Sequence, residues 1–177
     1  MEEDYERGGW IALAVGGVVG MLYGLVYLVW SLISAIFIGG LAGLSAIGSA
    51  MDTGDILSAI PGIVLALMPV IQLVIFVLVP ILAAIVLFAA LRYKSYRSKG
   101  VVWLGIVANV LVPLIGLLTS LGSCCNMGGC CSFVTGFILG NIPTIVVGVI
   151  ALATSGYAAF TLMQEDVGAK FEANATE

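Results

Sequence analysis

From Ile60 to Leu91 the chain runs for 32 residues without one charged side chain. A helix rises about 1.5 Å per residue and the hydrocarbon core of a bilayer is about 30 Å thick, so about 20 apolar residues cross it. Three further stretches reach that length: about Trp10–Ile38, about Val101–Leu121 and about Phe133–Met163. Lipid offers no partner for backbone N–H and C=O groups, and four isolated strands cannot close a barrel, so all four stretches are expected to be helices. Composition agrees, with 62% hydrophobic and only 9% charged residues, where soluble domains carry about a quarter charged. The sequence therefore predicts an all-α, polytopic membrane protein. It reads as one domain over 1–177, a four-transmembrane-helix bundle with short loops and tails at 1–9 and 164–177.

The spans at 10–38, 60–91 and 133–163 exceed what a perpendicular crossing needs, which predicts tilt or continuation out of the bilayer. Gly39, Gly40 and Gly43 follow the first span. They predict a bend into a short interfacial helix. The acidic start MEEDYERGGW lacks the positive charge of a signal peptide, and the apolar stretch after it is too long for one, so it reads as a retained span.

Charge sets the orientation. Four of the six basic residues, Arg92, Lys94, Arg97 and Lys99, lie between the second and third spans. The segment between the first two spans carries Asp52 and Asp55 and no basic residue. The positive-inside rule then predicts a cell-membrane protein with both termini cytoplasmic and the cysteine loop on the outer side. The same basic residues are candidates for lipid headgroup contact. The sequon Asn174-Ala175-Thr176 falls on the cytoplasmic side in this topology and reads as chance.

All four cysteines, Cys124, Cys125, Cys130 and Cys131, sit in SCCNMGGCCSF. Zinc ligands are usually spread as C-x(2–4)-C, and adjacent pairs crowd them. Palmitoylation requires a cytoplasmic loop. An outward loop favours disulfides, with one member of each pair joined to one of the other. Gly128 and Gly129 supply the tight reversal this needs. The connectivity stays open between the nested and crossed arrangements, and metal and lipid attachment remain the alternatives.

Within the spans, Gly16, Gly20 and Gly24 recur at four-residue intervals, and Gly136 and Gly140 repeat the spacing. Such rows let helix backbones approach closely, either within one chain or between copies. Polar residues at depth are few: Gln72, Asn109 and Asn141, with Thr119, Thr144 and Thr154. They read as cross-helix hydrogen bonds or, alternatively, as a lined pathway. Five prolines, Pro61, Pro69, Pro80, Pro113 and Pro143, predict kinks. An amide near a kink, such as Asn109 before Pro113, is a candidate partner for a freed carbonyl.

Several function classes lack their residues. There is no histidine, which removes a histidine-ligated haem or copper and a Ser-His-Asp triad. No ionisable group lies in the central part of a span, where proton-coupled carriers place one. Six basic residues give no footprint for nucleic acid. No enzyme activity, cofactor or metal is expected.

Four spans, cytoplasmic termini, a small first outer loop and a Cys124-Cys125 pair in the second together resemble the tetraspanins. In that family the pair is followed by glycine, whereas Asn126 stands here, and the second outer loop is a folded subdomain, whereas here it is about ten residues. The resemblance implies a membrane organiser that acts by lateral association. The expected function is a non-enzymatic membrane scaffold or accessory subunit, partnered by the bilayer and by further copies or other membrane proteins. The alternative is a small channel or transporter for a neutral solute or cation, lined by Gln72, Asn109 and Asn141.

Overall fold

A computed structural model describes residues 2–54, 57, 60–124 and 130–174, with side chains for these except 2–7, 38, 53, 61, 65, 120–124 and 130–140. Every regular element among them is helical: α1 (Glu2–Ser34), a one-turn π-helix (Ala35–Gly39), α2 (Gly40–Thr53), α3 (Ile60–Lys94), α4 (Lys99–Cys124), α5 (Cys130–Leu162) and α6 (Glu165–Asn174). Four segments are long and apolar enough to cross a bilayer: Gly8–Asp52, Gly62–Lys94, Lys99–Thr119 and Asn141–Leu162.

The first of these runs well past Ile38. The glycines do not interrupt the helical backbone: Gly39 and Gly40 keep right-handed helical angles, with φ near -63° and -62°. The chain widens by one π turn and continues as α2. It stops at Gly54, whose φ of 66° is the left-handed conformation glycine adopts without penalty, and whose N–H closes on the Ala50 carbonyl. Glycine is permissive and does not by itself break a helix. The prolines likewise leave α3, α4 and α5 unbroken, and Pro61 falls in the first turn of α3, where its missing donor has no intrahelical role.

The chain divides into two compact units, one of residues 1–23 and 79–177, the other of 24–78. In the larger unit α4 and α5 pack along each other. Its core is largely aliphatic, with Leu13, Val86, Ala89, Val102, Ala108 and Ala158 buried together with the rings of Tyr93 and Phe171. The outward faces carry the large apolar side chains instead, such as Val18, Leu104, Val149 and Phe160, each at least half exposed. Ala89, Ala108 and Ala158 on the buried faces suit helices that pack by close approach. In the smaller unit Tyr27 stacks on Phe76, with ring centroids 5.2 Å apart. The Ala66 carbonyl and the Ala46 methyl lie tight against Gly39 and Gly62.

The segment 164–177 is not a loose tail over its described length. Glu165 and Asp166 start α6, where carboxylates favour a helix N-terminus. Val167 and Phe171, four residues apart, then bury against the larger unit's core. The N-terminal segment is likewise part of α1 from Glu2.

Candidate functional site

The polar residues and the glycines, read separately in the sequence, belong to the same contacts. Among the described residues of the larger unit, cross-helix hydrogen bonds fall at three levels, each seated on a glycine.

At the first, the Asn109 side chain on α4 is buried and faces α5. Its Nδ2 lies 2.9 Å from Ser155 Oγ, 3.0 Å from Thr154 Oγ1 and 3.2 Å from the Ala151 carbonyl. Two amide protons are shared among these three acceptors. Ser155 Oγ in turn donates to the Ile106 carbonyl at 3.4 Å, one turn back on α4. Thr154 Oγ1 donates along its own helix to the Ile150 carbonyl at 2.8 Å. Gly16 of α1 makes the room: a Cβ there would lie 2.5 Å from Asn109 Nδ2 and 2.8 Å from Thr154 Oγ1. The amide therefore ties α4 to α5 across the bundle, and does not serve the carbonyl freed by Pro113.

At the second, Tyr23 Oη and Thr144 Oγ1 lie 2.9 Å apart, joining α1 to α5. Gly116 of α4 seats the pair, since a Cβ there would collide with Tyr23 Oη. At the third, Tyr93 Oη and Thr161 Oγ1 lie 2.8 Å apart, joining α3 to α5. A Cβ on Gly9 of α1 would collide with both hydroxyls. The three levels use Thr144, Thr154 and Thr161 of α5, spaced about 15 Å and about 10 Å along its axis. A buried polar group is costly unless it is bonded. Each level satisfies that demand between helices, so the bonds fix which helices touch and in what register.

Of the other sequence candidates, Gly20 packs against Ala83 and Val112 with room to spare, a Cβ there lying 3.6 Å from each. Gly24 is buried. Asn141 is buried on α5, thirteen residues before Thr154, about 20 Å along the helix. The two asparagines thus stand at different depths and do not converge. Gln72 lies half-buried in the smaller unit. Gly136 and Gly140 lie on α5 outside the described side chains, as do Cys124, Cys130 and Cys131, and Cys125 lies outside the described residues altogether. The disulfide expectation therefore falls outside what the structure describes.

Sequence reasoning missed Gly9, Gly116 and Gly105, whose added Cβ would collide with the Ala89 methyl. None belongs to a four-residue row. It also missed the end of the bundle at 93–98. The Arg97 N–H bonds the Arg92 carbonyl and the Tyr96 N–H bonds the Tyr93 carbonyl, both at 3.0 Å. This nested pair closes α3 as a Schellman cap, with Tyr96 in the left-handed position that usually takes glycine. Tyr96 has φ 51° and Ser98 φ 58°, and a non-glycine residue there costs about 1–2 kcal/mol. Packing from α6 offsets it: the Phe171 ring meets Tyr96 edge-on at 5.6 Å and Tyr93 at 5.8 Å, and Lys170 Nζ lies 5.6 Å over the Tyr96 ring. The basic residues Lys94, Arg97 and Lys99 are exposed on this turn and Arg92 is half-buried.

The hydrogen-bond ladder is open to direct measurement. Asn109→Leu keeps the volume and removes the amide, and is expected to cost about 1 kcal/mol, the range found for bonds between membrane helices. In a double-mutant cycle with Ser155→Ala, thermal unfolding in detergent should show less than the sum of the single losses. Full additivity would mean that the two side chains act independently.

No protein family, curated protein or solved structure shows a significant match to this chain.

Proposed function

We propose that this chain is a non-enzymatic membrane scaffold or accessory subunit that spans the bilayer four times and acts by lateral association of its helices. The observation that carries the reading is the Asn109 amide: it is buried and engaged by Thr154 and Ser155 rather than lining a shared polar path with Asn141. A pathway for a neutral solute needs polar groups that face a common cavity. Here Asn109, Tyr23 and Tyr93 of the larger unit bond across helices, Thr119 bonds carbonyls of its own helix, and large apolar side chains lie on the outward faces.

The smaller unit supplies a surface suited to association. A cavity of about 570 Å³ opens between α2 and the start of α3, lined by Gly43, Ala46, Ala50 and Ala66 with Ile47 and Leu67 at its sides. Small residues on an apolar helix pair admit a further helix at close range. Lateral organisation is also what the tetraspanin-like layout implies.

The test is purification of the full chain in mild detergent, with measurement of assembly mass and identification of co-purifying chains. A defined assembly is expected, and Gly43→Leu, which fills the groove, should weaken it. A strictly monomeric protein that passes solute in liposomes, with flux abolished by Asn109→Leu, would establish the channel reading in its place.

A further inference from the structure

We propose that the turn of residues 92–99 is a docking surface for the phosphates of anionic phospholipids, held in shape by α6. The inference rests on the membrane-spanning reading. Four cations fall within eight residues, and among the described side chains, which begin at Gly8, no carboxylate pairs with Arg92, Lys94, Arg97 or Lys99.

Two of these cations lie over aromatic rings. The Arg92 guanidinium lies 5.0 Å over the Phe88 ring, one turn back on α3, and that ring is half exposed on the apolar surface beside Leu91. Lys94 Nζ lies 5.1 Å over the Trp10 ring of α1. Both charges therefore stand at the rim where the apolar surface ends. A cation held at that rim is placed to meet a nearby anion. The anion that a bilayer brings to that depth is a lipid phosphate, and guanidinium matches it with two parallel hydrogen bonds.

The turn is also preorganised. The Schellman cap fixes its backbone, Tyr96 occupies a left-handed position, and Phe171 and Lys170 of α6 cover the Tyr96 ring. A rigid turn spends less ordering entropy when it binds. The role of α6 is thus to position cations that belong to another element.

The experiment uses the full chain, purified in detergent and exposed to equal amounts of phosphatidylglycerol and phosphatidylcholine. Lipid adducts are counted by native mass spectrometry. Orientation during insertion has no influence on this readout. Wild type should retain phosphatidylglycerol in preference, and the Arg92→Gln/Lys94→Gln double variant should lose about fivefold in that preference per cation removed. Phe171→Ala keeps every charge on the turn and should still reduce the preference, because the turn is released. Equal retention of both lipids by wild type, or an unchanged preference in the double variant, overturns the site. An unchanged preference in Phe171→Ala overturns the positioning role of α6. Release of the chain from membranes by alkaline carbonate is a separate result, which would refute the membrane-spanning reading itself.

Discussion

Gly105→Ala is expected to lower the melting temperature of the detergent-solubilised protein by several degrees, while Gly20→Ala leaves it nearly unchanged. Both substitutions add one methyl group to a buried helix face. At Gly105 that methyl would overlap the Ala89 methyl of α3, itself fully buried. Neither group has a rotatable bond that moves it aside, so α3 and α4 must separate. Overpacking of this kind costs about 1–3 kcal/mol. Replacing glycine by alanine inside a helix returns about 0.5–1 kcal/mol, so the net loss centres on about 1 kcal/mol. For a chain of this size each 1 kcal/mol shifts the midpoint by about 2–4 °C. At Gly20 the nearest atoms lie at 3.6 Å, ordinary contact distance, and the gain in propensity meets little opposition. Differential scanning of the two variants side by side is the check. Equal shifts would mean that α3 and α4 are not in the close contact described.

Phe171→Ala is expected to release α6 without unfolding the bundle. The Phe171 ring is almost wholly buried between α6 and the rings of Tyr93 and Tyr96. Truncating a buried phenylalanine costs about 3–5 kcal/mol. A helix of 10 residues is shorter than the roughly 12–15 that persist alone in water. Once undocked, α6 should melt, and Tyr96 loses the packing that offsets its left-handed backbone. Amide exchange over 165–174 and 95–98 should rise by orders of magnitude. Exchange over Val102–Val112 in α4 should stay as in wild type, because its contacts with α5 are untouched. Unchanged protection of α6 would show that Phe171 does not anchor it. Loss of protection throughout α4 would show instead that the helix and the bundle form one cooperative unit.

The helical class, and four apolar helices long enough to cross a bilayer, followed from the uncharged stretches alone. That inference is robust because it depends on length and on the cost of charge, which are additive along a chain. The end of α2 was less legible. Gly39, Gly40, Gly43 and Gly54 are chemically identical, and only the last adopts a left-handed angle. Which glycine ends a helix depends on where the chain must next go.

Glycine spacing gave a partial guide to packing. The Gly16–Gly20–Gly24 row marks a close-packed face, yet its middle member has space around it, whereas Gly9, Gly105 and Gly116 have none. A row records what one helix offers. Whether the space is used depends on what the neighbouring helix places opposite, here Asn109, Tyr23, Tyr93 or Ala89. Those pairings join residues as far apart as Tyr23 and Thr144, and no local pattern encodes them.

The sequence by itself determined that this chain is helical and apolar over four long segments. Burial cost and backbone hydrogen bonding act on each segment separately, so composition and length suffice to read them. Only the tertiary structure decided that Asn109 bonds Thr154 and Ser155, that glycines of one helix seat hydrogen bonds of two others, and that α6 covers a tyrosine held in a glycine conformation. Each of these is a match between two surfaces distant in sequence, and its energy exists only once the surfaces have met.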